Sequence, residues 1–507
     1  MTDILQKSAV EMARMIADGQ CRSMDVVEAH IARIEAVNPN INAVVVKRYE
    51  QARAEAREAD TKRIRGEALG PLHGVPVTVK ECLDLADTPS TFGIPVRANH
   101  RAAADEKHVA RLREAGAIVL GKTNVSQCLF YTEADNPLYG RTRNPWNLDR
   151  TPGGSSGGEA AIIAAGGSPL GLGTDIGGSV RTPAAFCGIA SLKPTSGRMD
   201  DPGEFSVPPG QRAIPSQVGV MARRVEDVAL GYRLASRATT PAVEVEGLSV
   251  AYYTEDDSFE TAPAVKRAVE TAAQMLRDAG ARVTPWTPPR AKEMYAVFGG
   301  ILTADGCAHM KRITAGGPRT PQMKQSFLGA SIPASLLPWI RALLRAVGQE
   351  GLAFNLSAFG PQTVDRYWSL VQRQTLYKQQ FLEQLDVTIG GPFDLILAPA
   401  SSLPAFTHGA TRDLLTAGAY APLYNLLGLP AGIVPVTRVR AGEESVRAAS
   451  ADVVQKLARN IELGSAGLPI GVQLVARPWQ EHVALAAMAV IERAARQQTD
   501  FPQTPTG

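Results

Sequence analysis

Residues 151–161, TPGGSSGGEAA, set two adjacent serines between pairs of glycines, and a second glycine block, GLGTDIGGSVRTPAAFCG at 171–188, carries a further serine, Ser179. Stretches with so few side chains let the backbone make close turns that other residues resist. A flexible linker would need no particular neighbours. Here the first block runs directly into EAAIIAA, a helix start whose Glu159 falls in the first turn, where a carboxylate complements the helix dipole. A phosphate-binding P-loop needs G-x-x-x-x-G-K-[ST], and no lysine follows Gly158. Gly154-Ser155-Ser156-Gly157-Gly158 satisfies G-x-S-x-G literally, but that elbow follows a strand, and the preceding NLDRTP has turn chemistry. None of the seven histidines stands in a recognisable partner motif.

The second block reads as chemistry. Successive glycines before Ser179 let backbone N–H groups converge on one point, which is how an anion nest or oxyanion hole is built. A serine at the end of such a nest is a candidate nucleophile, and without a histidine its base must be another group. Lys80 meets that need. It ends the apolar run GVPVTVK, where an ammonium is costly to bury and desolvation favours the neutral amine. A strand-end lysine pointing to solvent is the plainer alternative.

Composition closes off other classes. With 45% hydrophobic and 20% charged residues the chain can bury a large core and is not disordered. A net charge of +3 over 507 residues gives no basic field for nucleic acid. Five scattered cysteines, an odd number without a C-x-x-C pair, indicate neither a disulfide framework nor a zinc site, so no metal or cofactor is expected. The N-terminus lacks the features of a secretory signal, which with the cysteines points to the cytoplasm. The uncharged segment 420–437 contains Pro422, Pro430 and Pro435 and reads as core turns and strands, not a membrane span.

Helical spacing over 9–43 breaks at DGQCRS, where Ser23 can cap the second helix. Strands are expected at GVPVTVKECLDL, AIVLGKTN, LSVAYYT, ARVTPW, DLILAPA and AGIVPVT, and helices at 109–115, 265–279 and 480–496. RVRAGEESVRAAS reads as a polar surface insertion, and DDPGEFSVPPGQRAIP as a loop. Strands alternating with helices give an α/β fold with an at least partly parallel sheet, arranged as one domain over 1–507.

PLHGVPVTVKE, TPGGSSGGEAA and GTDIGGSVRTPAAFCG, in this order and with NPWN and SLKP around them, resemble the amidase signature family of serine hydrolases. The similarity extends from the paired N-terminal helices to GLPIGVQLVARPWQE. It implies an amidase signature fold, a large twisted mixed β-sheet covered by helices on both faces, with N-terminal helices in 1–60 and the signature core in 65–200. It implies Ser179 as nucleophile, Ser155 as a bridging serine with a cis peptide, and Lys80 as the ultimate base. The oxyanion hole would be the N–H groups of Ile176, Gly177, Gly178 and Ser179, with Ser156, Asp175 and Arg181 in support. The reaction implied is acyl transfer from an amide to Ser179 and then to water.

Within the family, long runs such as LYNLLGLPAGIVPVT and VARPWQEHVALA are most similar to the fatty-acid amide hydrolases. That implies hydrophobic N-acyl amides as substrates, Leu129 and Phe130 in an acyl pocket, and a membrane or substrate cap within 325–360. At 336–347, LLPWIRALLRAV, Leu336, Ile340, Leu343 and Val347 share one helical face beside Leu337, Trp339 and Leu344, flanked by Arg341 and Arg345. Such a face suits peripheral contact with a membrane surface, or a core or homodimer contact. Aryl amides, esters or carbamates are the alternative substrates, because specificity lies outside the signature. A glutamine amidotransferase subunit is the further alternative.

Overall fold

The computed structural model describes residues 4–200, 205–333, 335–387 and 391–504; residues 201–204 of the expected loop and residue 334 of the expected cap lie outside them. Among the described residues, apart from a short antiparallel pair at Asp135–Asn136 and Gly140–Arg141, eleven strands join into one mixed sheet. In chain order they are β1 (Val44–Lys47), β2 (Pro76–Lys80), β3 (Ile118–Thr123), β4 (Leu170–Asp175), β5 (Ala190–Lys193), β6 (Gln217–Ala222), β7 (Ser249–Tyr252), β8 (Arg282–Pro285), β9 (Leu395–Pro399), β10 (Ala431–Arg438) and β11 (Pro469–Ala476). Their spatial order is β1-β3-β2-β4-β6-β5-β10-β11-β9-β7-β8. β2 runs parallel to both of its neighbours, β3 and β4, while β4 pairs antiparallel with β6. The centre of the sheet from β10 to β9 is antiparallel and its far edge, β9-β7-β8, is parallel.

The helices used below are α1 (Ala9–Ala17), α2 (Ser23–Ile41), α3 (Tyr49–Ile64), α4 (Lys107–Glu114), α5 (Gly157–Ala164), α6 (Arg181–Cys187), α7 (Pro263–Asp278), α8 (Ala291–Leu302), α9 (Pro321–Gly329), α10 (Leu337–Ala346), α11 (Glu350–Ala358), α12 (Tyr420–Leu426) and α13 (Glu481–Ala495). They cover both faces of the sheet, so its strands read as nearly continuous apolar runs. Val77 and Val79 of β2 and Leu170 and Leu172 of β4 enter one core with Val265 of α7 and Leu485 of α13. The opposite face packs against α2, α3, α5 and α6 through residues such as Ile31, Ala52, Ile163 and Ala184. Because side chains alternate along a strand, Thr78 and Lys80 point to this second face.

One local expectation changes and another gains a buried anchor. Ser23 is the first residue of α2, not its cap: its hydroxyl donates to Gly74 O at 2.9 Å. The α2 N-terminus is capped instead by the Asp60 carboxylate of α3, which accepts from Ser23 N at 2.7 Å and Met24 N at 3.1 Å. The segment after β10, expected as a surface insertion, is anchored by buried Arg447, whose guanidinium pairs with Glu462 at 2.9 Å and Glu260 at 2.7 Å. The 420–437 stretch forms α12, a turn and most of β10. No helix among the described residues is long and apolar enough to cross a membrane.

Candidate active site

The ends of β2 and β4, the turn before α5 and the turn before α6 meet on the second face of the sheet. Lys80, the last residue of β2, is fully buried. Its ammonium group donates to Ser155 Oγ at 2.7 Å and to Thr174 Oγ1 of β4 at 2.8 Å. Ser155 is itself buried, and the peptide bond joining it to Gly154 is cis. Ser156 ties this turn to the other glycine block: its N–H donates to Ser179 O at 3.1 Å and its hydroxyl to Thr174 O at 3.4 Å. The structure thus brings together the lysine, the serine pair and the second glycine block, which lie far apart in sequence.

Ser179 sits in a strand–turn–helix context between β4 and α6, and unlike Lys80 and Ser155 it is only half-buried. The turn is held from behind by a fully buried ion pair. Arg181 donates through Nε to Asp175 Oδ2 and through Nη2 to Asp175 Oδ1, both at 3.0 Å. Asp175 in turn accepts from Gly178 N at 2.8 Å and Val180 N at 3.1 Å. Gly178 has φ +102°, a left-handed conformation that disfavours side chains, and an added Cβ would meet the Ala421 Cβ at 2.7 Å. Arg181 also donates to Ala421 O at 2.9 Å and Gln473 Oε1 at 2.7 Å, and Asn425 bridges the pair by accepting from Arg181 and donating to Asp175 Oδ1 at 2.9 Å.

The four N–H groups expected as oxyanion donors are placed differently. The Gly178 N–H is committed to Asp175, and Gly178 is absent from the cavity wall, whereas Ile176, Gly177 and Ser179 line it. Burial alone would raise the Asp175 carboxyl. The Arg181 charge and hydrogen bonds, with help from Lys193 and Asn425, outweigh it and hold the group well below the usual carboxylate range.

Ser179 opens into a cavity of about 360 Å³, of the size that takes a small-molecule ligand. Leu129 and Phe130, singled out from sequence, do line it, as do Tyr295, Phe298 and Leu302 of α8 and Phe359 after α11. Sequence spacing does not mark the last four, since their apolar periodicity is the same as that of plain core. Polar residues line the cavity as well, and three of them are joined: Gln325 Nε2 donates to Asp413 Oδ1 at 3.1 Å, and Asn355 Nδ2 to Asp413 O at 3.0 Å. Leu344 of α10 reaches the same cavity, while the other side of that helix faces outward, with Trp339 77% and Leu343 66% exposed.

A model of the family described as Amidase matches residues 25–485 of the chain. The chain is 34% identical over 512 residues to fatty-acid amide hydrolase 1 of Sus scrofa, covering 95% of this chain and 85% of that protein. It is 32% identical over 531 residues to a glutamyl-tRNA(Gln) amidotransferase subunit of Roseiflexus castenholzii, covering 99% of each. A solved structure of a fatty acid amide hydrolase superposes with a TM-score of 0.81 at 25% identity, covering 97% of this chain and 85% of that one.

Removing one member of the buried pair leaves the other charge uncompensated, so Asp175→Ala is expected to lower stability by about 3–5 kcal/mol in urea denaturation at neutral pH. Because the folded-state pKa of Asp175 is depressed, its contribution is present above about pH 4 and is lost as pH falls below that. Asp175→Asn should therefore flatten the acid side of the stability–pH curve; an unchanged acid side would refute the assignment.

Proposed function

From the premise that this chain belongs to the amidase signature family and is an amide hydrolase, we propose that it cleaves hydrophobic N-acyl amides through an acyl-enzyme on Ser179. The observation that carries the substrate class is the cavity beside Ser179, walled by Leu129, Phe130, Phe298, Leu302 and Phe359. Fatty acyl groups or similar apolar acids are the chemistry such a wall binds.

The relay starts from the hydrogen bond between Lys80 and Ser155. In its neutral form, Lys80 takes a proton from Ser155 as Ser155 takes one from Ser179, whose oxygen attacks the amide carbonyl. Support comes from the 2.7 Å contact of Lys80 Nζ with Ser155 Oγ and from the placement of Ser179 alone at the cavity. The N–H groups of Ile176, Gly177 and Ser179 receive the developing oxyanion. The proton returns through Ser155 to the departing amine, and water then attacks the acyl-enzyme by the same route, releasing the acid and restoring Ser179. Protonating the nitrogen as the C–N bond breaks is what makes an amine a workable leaving group.

The outward face of α10 belongs to the same reading. Leu336, Trp339, Leu343 and Val347 are exposed on it beside Arg341 and Arg345, and Leu344 on the same helix lines the cavity. An exposed apolar stripe with tryptophan and flanking cations fits the interface of a lipid bilayer, from which an apolar substrate would enter.

Across a series of p-nitroanilides of increasing acyl length, kcat/KM is expected to rise by about fourfold per methylene until the cavity is filled. A flat or falling series, or a preference for short aryl amides, would overturn the lipid-amide reading. The chain is also expected to co-sediment with vesicles containing phosphatidylglycerol, and Trp339→Ser with Leu343→Ser to weaken this at least about tenfold while sparing hydrolysis of a short soluble ester. No vesicle binding, or a double variant that instead only dissociates a dimer, would contradict the membrane role.

A further inference from the structure

Glu159 is expected from its sequence position to do no more than complement the α5 dipole, a task an exposed carboxylate performs equally well. Instead it is fully buried. Its Oε1 accepts from Thr78 Oγ1, and its Oε2 accepts from Thr123 Oγ1 at 2.7 Å. Thr78 lies two residues before Lys80 on β2, hence on the same face of the sheet. Thr123 is paired with Lys80 itself in the β2–β3 register. Glu159 stands four residues after Ser155, in the first turn of the helix that this serine leads into. A Cβ at Gly171 of β4 would overlap Glu159 Oε1, so the third strand is cut back to seat the carboxylate.

We propose that Glu159 is a positioning residue for the relay, a clamp that fixes the strand carrying Lys80 against the helix that follows Ser155. This rests on the Lys80–Ser155–Ser179 relay proposed above. A carboxylate removed from water is costly, and two hydroxyl donors offset that cost only in part. Burial pushes its carboxyl up to about 7, against the Thr78 and Thr123 hydrogen bonds and the charge of Lys80. A residue that burdens the fold in this way serves the site, where a small change in the Lys80–Ser155 separation interrupts proton transfer. The clamp sets geometry and takes no proton from the substrate.

The signature is a selective loss. Both substrates need the relay to activate Ser179, but a p-nitrophenyl ester has a leaving group that departs without protonation, whereas an amide nitrogen needs the relay a second time. Steady-state kinetics on an alkyl amide and its matched p-nitrophenyl ester would be compared for wild type, Lys80→Ala, Glu159→Ala, Glu159→Gln and Thr78→Val with Thr123→Val, with fluorophosphonate labelling as the check on Ser179. Glu159→Ala and the double threonine variant are expected to lose at least about tenfold in kcat on the amide with KM unchanged, and less on the ester, so that the amide-to-ester rate ratio falls at least about threefold. Glu159→Gln, which can accept from one threonine and donate to the other, is expected to restore the amide-to-ester ratio. If Glu159→Ala does not fold, the double threonine variant and Glu159→Gln decide. A wild-type ratio in the double threonine variant, or a glutamine variant as defective as the alanine one, overturns the clamp. A wild-type ratio in Lys80→Ala overturns the relay itself, and the clamp with it.

Discussion

Everything in the site is arranged around one contact, the 2.7 Å hydrogen bond from Lys80 to Ser155. A lysine at the end of a central strand, with parallel neighbours on both sides and helices over both faces, has no route to water. Its position is dictated by β-strand alternation: Val77 and Val79 belong to one core, so Thr78 and Lys80 must face α5 and α6. The glycine-rich turn before α5 then brings Ser155 to it, because a turn with ordinary side chains could not pass so close to the sheet. Of these three residues, Lys80 and Ser155 are buried and only the half-buried Ser179 lines the cavity.

The turn that carries Ser179 is stabilised by a different kind of force. Asp175 and Arg181 are both removed from water, an arrangement that only dense hydrogen bonding makes tolerable. Here the guanidinium is met by Asp175, Asn425, Gln473 and Ala421 O, and the carboxylate by two backbone amides of the turn. The pair therefore joins the turn to α12 and β11, at least 240 residues away in sequence, and converts tertiary packing into the orientation of a few N–H groups. In the proposed reaction such preorganisation stabilises the oxyanion without rearrangement.

Most of this is legible where local chemistry is unusual. A lysine ending an apolar run, two serines among glycines, and a serine closing a glycine nest each conflict with ordinary packing, and the three blocks do converge in the structure. The alternation of strands and helices points to the α/β class for the same local reason. What escapes is long-range. Asn425 and Gln473 look like any polar residues near strands, and nothing nearby marks them as partners of Arg181. Tyr295, Phe298 and Phe359 carry the periodicity of core helices, so their place on a cavity wall depends on how helices stack. Asp60 displaces Ser23 as the α2 cap because a tertiary neighbour outcompetes the local hydroxyl. Gly178 reads in sequence as an oxyanion donor, yet its N–H is already used by Asp175.

The central claim is that the attacking oxygen belongs to Ser179 and that Ser155 and Lys80 stand behind it. Trypsin releases 151–181 as one peptide carrying Ser155, Ser156 and Ser179, bounded by Arg150 and Arg181. Inactivation with a fluorophosphonate, followed by fragmentation of that peptide in a mass spectrometer, locates the adduct to a single side chain. The account predicts stoichiometric modification of Ser179. An adduct on Ser155 or Ser156 with Ser179 unmodified would contradict it.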